Sequence, residues 1–323
     1  IEHDLATRGL KQPIVESHPH LFSSAPVFVA HAHAESMQRI IAAIESVVAM
    51  PQWQAATLAD APAIAHRPQA ARSVFMGYDF HIGAHGPQLI EINTNAGGAF
   101  LNAALGRVQR ACCPEVRDWV TTPVDMQTID DVLIATFRDE WRLARGGAPL
   151  RRIALVDTDP ASQYLYPEFL LAQRLLEAHG IDAVIADPSH FALRDGRLEC
   201  DGAVVDLVYN RLTDFSLDAT VNADLRAVFE AGGVVLTPHP PAHALYAATV
   251  ATVPPLAFVG SAVNNDVLAF LAGGLALLGL ARLLEGRAGG ATGALVGAGL
   301  ALALLAKATA GLLVLLAVAA ALA

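Results

Sequence analysis

The stretch 76–102, MGYDFHIGAHGPQLIEINTNAGGAFLN, gathers oxygen donors in a pattern with a definite chemistry. Asp79 lies in one strand-forming segment, and Glu91 and Asn93 lie in the next. Side chains alternate along a strand, so Glu91 and Asn93 share a face. Pairing of 74–80 with 89–93, across the turn Gly83-Ala84-His85-Gly86-Pro87, brings Asp79 to that face. Two carboxylates and an amide oxygen make a hard donor set. It suits Mg²⁺, which takes oxygens at ~2.0–2.1 Å and keeps positions for water or phosphate. Asn95, Gly97 and Gly98 follow directly, where backbone amides can face a phosphoryl group. On spacing alone, a surface hairpin of solvated acids fits equally well.

Other polar residues have two readings each. Asn210 and Arg211 end an apolar strand, the place where α/β proteins put ligands. Arg211 is the candidate catalytic residue, holding a substrate carboxylate with two parallel hydrogen bonds. The other reading is a salt bridge to Asp214 or Asp206. Asp157 and Asp159, after the first strand of the same region, are ligand candidates or turn caps. The pairs His18/His20 and His31/His33 have no third metal ligand at useful spacing and read as loop histidines. His239 and His243 flank Pro240-Pro241 and read as turn residues. No G-x-S-x-G elbow or G-x-G-x-x-G fingerprint is present.

The elements that position these groups follow from periodicity. Helical spacing of apolar residues covers 35–50, ended by Pro51, and 129–143, followed by Gly146-Gly147. Then the pattern alternates. Strands are expected at 152–156, 181–186, 204–209 and 234–237, helices at 167–179 and 219–231, and a small hairpin around Asp195-Gly196. Strand–helix–strand order implies a parallel, Rossmann-like sheet, so the fold class is α/β.

Composition divides the chain. It has 323 residues, 54% hydrophobic and 16% charged, with a formal charge of −10, which argues against a nucleic-acid partner. Three cysteines, Cys112, Cys113 and Cys200, exclude a disulfide scaffold and suit reduced thiols in a cytosolic protein. From Val250 onward the only acids are Asp266 and Glu285, and the only bases Arg282, Arg287 and Lys307. The uncharged runs 267–281, 288–306 and 308–323 approach the ~20 residues of a bilayer crossing. C-terminal transmembrane-type helices contacting a lipid bilayer are therefore expected. A hydrophobic hairpin buried in a soluble core is the other reading.

The motif DF-x8-LIEINTNAGG resembles the metal-binding end of ATP-grasp enzymes, the carboxylate–amine ligase superfamily. The resemblance implies that Asp79, Glu91 and Asn93 hold the Mg²⁺ that bridges the phosphates of ATP, beside Asn95, Gly97 and Gly98. It also implies small-molecule carboxylate and amine substrates and a cytoplasmic setting. In common ATP-grasp ligases this segment lies near the C-terminus, whereas here the Rossmann-like region follows it. That order is similar to circularly permuted relatives of glutathione and glutathionylspermidine synthetases. VYNRLTDF and VVLTPHPPAHALY then match the substrate-side domain, and the resemblance covers roughly 20–247. It implies a partial ATP-grasp-like region at 1–148, a Rossmann-like domain at 149–247 and hydrophobic helices at 248–323.

One departure is severe. Such enzymes hold nucleotide phosphates with lysines, and this sequence has none between Lys11 and Lys307. The lysine-bearing subdomain is due just after Tyr246, where the hydrophobic tail begins. The chain is thus expected to be incomplete and inactive, or a binding module that kept the fold without the chemistry. The tail itself resembles an internal stretch of polytopic glycosyltransferases that use lipid-linked sugars, with Asn264, Asn265 and Asp266 in a loop outside the membrane. Arg282 and Arg287 place their own loop in the cytoplasm and residues 1–247 outside, away from ATP. With Ile1 as first residue, the seam near 248 and an abrupt end, a joined or truncated reading frame is expected.

Overall fold

The computed structural model describes residues 2–9, 14–23, 27–84, 86–112 and 128–252. The chain divides into two compact units, one of Ile1–Phe80 with Glu91–Thr252 and one of His81–Ile90 with Val253–Ala323. The described helices are α1 (Glu2–Thr7), α2 (Ile14–Ser17), α3 (His31–Val48), α4 (Pro51–Leu58), α5 (Ala99–Cys112), α6 (Ile129–Arg145), α7 (Tyr166–Ala178), α8 (Ala223–Ala231) and α9 (Pro240–Thr252). Strands β1 (Gly77–Gly83) and β2 (Gly86–Asn93) form a two-stranded sheet.

The first unit is built on a four-stranded parallel sheet. Its strands are β3 (Arg152–Val156), β4 (Asp182–Ala186), β8 (Leu207–Asn210) and β9 (Val235–Thr237), in the order β4-β3-β8-β9. Register is fixed by pairs such as Ala154 opposite Val184 and Val208, and Val208 opposite Leu236. Strands covered on both faces need apolar residues at every position, and β3 reads Ile-Ala-Leu-Val. Alternation sends Ile153, Leu155, Leu207 and Tyr209 into one core, with Phe137 and Leu176. Ala154, Val156, Val208 and Leu236 enter the other, with Phe229 and Leu198.

Between β4 and β8 the chain forms a small antiparallel sheet, β5 (Phe191–Arg194), β6 (Arg197–Cys200) and β7 (Ala203–Val204). Asp195 and Gly196 make its first turn with φ of 49° and 74°, which the short Asp side chain and the absent Cβ of Gly tolerate. The strand expected at 204–209 is interrupted at Asp206. Its carboxylate accepts the backbone N–H groups of Arg151 and Arg152 and ties β8 to the start of β3.

Two interactions fasten 71–75 to this sheet. Glu140 of α6 is 4% exposed and accepts hydrogen bonds from the N–H of Arg72 (2.8 Å), the N–H of Ser73 (2.8 Å) and Thr237 Oγ1 (2.9 Å). Thr237 Oγ1 in turn accepts the N–H of Val74 (2.9 Å). Beside them, the rings of Phe75, Phe100, Phe137 and Tyr209 pack with centroids 5.4–6.4 Å apart, mostly edge to face. This explains a shift from expectation. Val74 gives its N–H to Thr237, so the first hairpin strand begins at Gly77 and not at 74.

The expected fold class is corrected on one point. The described residues are mixed α/β with a parallel sheet, and no helix among them is long and apolar enough to cross a membrane. Helix α9, which runs into the segment expected to span, has 13 residues, about 20 Å of helix against a ~30 Å hydrocarbon core. The runs 267–281, 288–306 and 308–323, with Asn264, Asn265 and Asp266, lie outside the described residues.

Replacing Glu140 by Ala orphans two part-buried N–H groups and one buried hydroxyl. Urea denaturation is expected to show a loss of about 3–5 kcal/mol, whereas Asp139→Ala, on the exposed face of the same helix, changes stability by less than about 0.5 kcal/mol.

Candidate functional site

Strand order places a crevice. From β3 the chain crosses through α7 to β4 on one side, and β8 lies on the other side of β3. The carboxyl ends of β3 and β8 therefore flank a topological switch point, where open α/β sheets bind ligands. Asp157 follows β3, and Asn210 and Arg211 end β8. Asn210 is buried and structural. Its Nδ2 donates to Pro238 O (3.3 Å), and its Oδ1 accepts the N–H of Leu212 (3.1 Å). That turn holds Arg211, whose own N–H donates to Val156 O (2.8 Å).

Arg211 is not spent on the acids expected to neutralise it. Asp214 accepts from the N–H of Asp218, the N–H of Ala219 and Asn222 Nδ2. Asp206 is committed to Arg151 and Arg152. The Nε and Nη1 atoms of Arg211 are buried and make no hydrogen bond among the described residues. Asp157 and Glu168 supply the negative field. Burial raises the pKa of Asp157, opposed by the N–H of Thr158 and by Arg211. Burial likewise raises that of Glu168, opposed by the N–H of Gly98 and by Arg211. The Tyr209 phenol between these groups is pushed up by burial, then by the Glu168 charge, and stays protonated at neutral pH. Asp159 has φ of 40° and gives its N–H to Asp187, so it shapes the turn after β3.

The segment after β2 folds onto this end of the sheet. The N–H of Ala96 donates to Phe75 O (3.1 Å), and Asn95 Nδ2 reaches Leu212 O (3.4 Å). Glu168, fully buried at the start of α7, accepts the N–H of Gly98 (2.7 Å) and of Phe100 (3.3 Å) and so caps the start of α5. Gly97 lies over the guanidinium. A Cβ there would come within 2.5 Å of Arg211 Nη2 and 2.9 Å of Leu165 Cδ1. Gly77 serves the same loop, since a Cβ on it would meet Ala96 Cβ at 2.9 Å and Asn93 Cβ at 3.4 Å.

At the near end of this loop Asn93 Nδ2 donates to Asp79 Oδ2 (3.3 Å). Asp79 and Glu91 are exposed, and Glu91 projects from the same side of β2 as Asn93 by alternation. The expected donors Asp79 and Asn93 thus meet. Among the described residues no group of three or more His, Cys, Asp or Glu side chains is arranged to hold a metal ion. The set Asp79, Glu91 and Asn93 carries two carboxylates and an amide, and its chemistry fits a hard cation. The amide of Asn93 spends its nitrogen on Asp79 and keeps its oxygen as a donor atom.

The histidines near Pro240 are not turn residues on the surface. His239 is buried with its Nε2 on Ala71 O (2.9 Å), and its Nδ1 accepts the N–H of Ala242 (3.1 Å). His243 Nδ1 pairs with Thr94 Oγ1 (2.5 Å), and its ring stacks on Phe215 at 4.2 Å. Its Nε2 is buried without a partner among the described residues. His243 therefore joins the end of β2 to the loop after Arg211. Among the other histidines, His18 pairs with Ser17 and His31 with Glu35. Glu168 carries no local sequence signal for this site, whereas Thr94, Tyr209 and His243 lie within LIEINTNAGG, VYNRLTDF and VVLTPHPPAHALY.

No protein-family model matches the sequence, and no curated protein matches it.

Burial, and then the charge of His239, lowers the His243 pKa from 6.5 to about 4. Above pH 6.5 the ring is neutral in both folded and unfolded chains. Between 6.5 and 4 only the unfolded chain takes up the proton, so stability falls as pH falls through this window and levels off below it. From pH 7 to pH 5 this one group accounts for about 2 kcal/mol of lost stability. Urea titrations at the two pH values are expected to show that His243→Gln reduces the pH-dependent loss by roughly that amount.

Proposed function

We propose that this chain carries the metal and carboxylate side of an ATP- and Mg²⁺-dependent carboxylate–amine ligase of ATP-grasp type. The observation that carries the reading is Arg211. It stands at the switch point with two buried guanidinium nitrogens unpaired, beneath a loop that begins at the oxygen cluster of Asp79 and Asn93. The resemblance of DF-x8-LIEINTNAGG to the metal-binding end of that superfamily supports the same assignment.

Asp79, Glu91 and Asn93 would hold Mg²⁺. Bound there, the ion neutralises charge on the transferring phosphoryl group. Arg211 draws the substrate carboxylate to the switch point by its charge and so helps to orient it. In the segment Asn95–Gly98 the N–H groups of Ala96 and Gly98 are taken by Phe75 and Glu168, so those of Asn95 and Gly97 would be the ones to meet a phosphoryl group. Glu168 holds the N–H groups of Gly98 and Phe100 and so fixes the end of that segment. One carboxylate oxygen attacks the terminal phosphorus of ATP, ADP leaves, and an acyl phosphate forms. The amine then attacks the acyl carbon and expels phosphate. No lysine lies between Lys11 and Lys307 to grip the nucleotide. That favours a second reading, in which the chain binds Mg²⁺ and a carboxylate without turning over ATP.

Hydroxylamine separates the readings, because it intercepts acyl phosphates as hydroxamates. Full-length chain with Mg-ATP, hydroxylamine and a panel of carboxylates yields hydroxamate and phosphate if the ligase reading holds. Mg²⁺ binding without hydroxamate selects the binding module. Calorimetry is expected to show Mg²⁺ affinity reduced at least about tenfold by Asp79→Asn and by Glu91→Gln, and unchanged affinity in both variants sinks the metal assignment.

Gly97→Ala forces the guanidinium of Arg211 aside. Calorimetric carboxylate affinity is expected to fall about tenfold while the urea midpoint stays within the range of an ordinary exposed-loop substitution.

A further inference from the structure

A second concentration of positive charge lies away from the switch point. A cavity of about 120 Å³ is lined by Arg8, Arg107, Arg174 and Asp130, with Phe100, Leu171 and Leu175 on its apolar wall. Arg174 lies six residues along α7 from Glu168, about 9 Å of helix, and none of the charged crevice residues takes part.

The two carboxylates near the cavity are already committed. Asp130 pairs with Arg8 and with Arg107 Nη1 (2.8 Å), and Asp4 pairs with Arg8 Nε (3.3 Å) and Arg107 Nη2 (3.5 Å). These pairs tie α1 and its end to α5 and α6. Three guanidiniums thus stand against two carboxylates, leaving one net positive charge. The surplus is located. Arg107 Nε is buried and has no hydrogen-bond partner, and Arg174 has no ion pair among the described residues. Gly9, with φ of 87°, makes room for Arg174, since a Cβ there would lie 3.1 Å from its Cδ and 3.2 Å from its Nη1. An anion held in the cavity offsets this surplus positive charge.

We propose that this cavity binds a small anion with a carboxylate or phosphate head and a short apolar body. The head takes the guanidinium donors of Arg174, the geometry that arginine matches in both groups, with the charges of Arg8 and Arg107 beside it. The body lies on Phe100, Leu171 and Leu175. The volume approaches the ~150 Å³ of a cavity that admits benzene, which limits the body to a few carbons.

The test titrates the full-length chain with isovalerate and, separately, with inorganic phosphate, at constant ionic strength set by chloride. Saturable binding of at least one is expected, weakened about tenfold or more in Arg174→Gln and partly restored in Arg174→Lys. Arg174 is exposed and stands outside the ion-pair network, so the variant keeps its fold, as an unchanged urea midpoint will show. Tighter isovalerate identifies a carboxylate with an apolar body, and tighter phosphate identifies a phosphate head. Absence of saturable binding of either anion in the millimolar range overturns the proposal. Wild-type affinity in Arg174→Gln overturns it as well.

Discussion

Glu140 lies inside the protein on α6, and its partners there are two backbone N–H groups and a hydroxyl. An acid buried this way is costly unless its oxygens are occupied, and Arg72, Ser73 and Thr237 occupy them. The donors come from two segments far apart in sequence. One is the approach to the hairpin, and another is the end of β9. Ser73 adopts φ of 80°, a conformation that a side chain with a Cβ disfavours and that the Glu140 contact sustains. With 71–75 held against Thr237, Phe75 enters the ring cluster with Phe100, Phe137 and Tyr209, and the hairpin starts where it does. Position of the oxygen cluster, and of the loop over Arg211, depends on that one buried carboxylate.

The crevice joins residues that are useless apart. Arg211 gets its orientation from the Asn210 turn, its cover from Gly97 and its field from Asp157 and Glu168. Glu168 does two jobs. It satisfies the first N–H groups of α5, and it offsets the Arg211 charge from the opposite side. The unpaired atoms of Arg211 are therefore compensated in charge and uncompensated in hydrogen bonding among the described residues.

Acids outnumber bases in this chain, with a formal charge of −10. Cationic side chains are correspondingly informative where they lack an acid. Arg152 and Arg226 are each paired, to Asp182 and to Asp218 and Glu230. Arg211 and Arg174 are two that have no ion pair among the described residues, one in the switch-point crevice and one at the cavity beside α7.

Local chemistry was legible in the sequence. Gly146, Gly180 and Gly232 mark the ends of α6, α7 and α8, and all three have positive φ, which glycine adopts without steric cost. The apolar run Ile153–Val156 reads as a strand covered on both faces, and Asp195-Gly196 reads as a hairpin turn, since each is set by the side chains or backbone of neighbours in sequence. Alternation put Glu91 and Asn93 on one face for the same reason. Membrane-crossing helices, expected from uncharged runs alone, have no counterpart among the described helices. What sequence could not supply was partnership over long separation. Glu140 meets Thr237 across 97 residues, Glu168 meets Gly98 across 70, and His243 meets Thr94 across 149. A carboxylate or imidazole carries the same local signature whether it faces solvent or a buried N–H, so only tertiary packing decided which of these residues belong to the site.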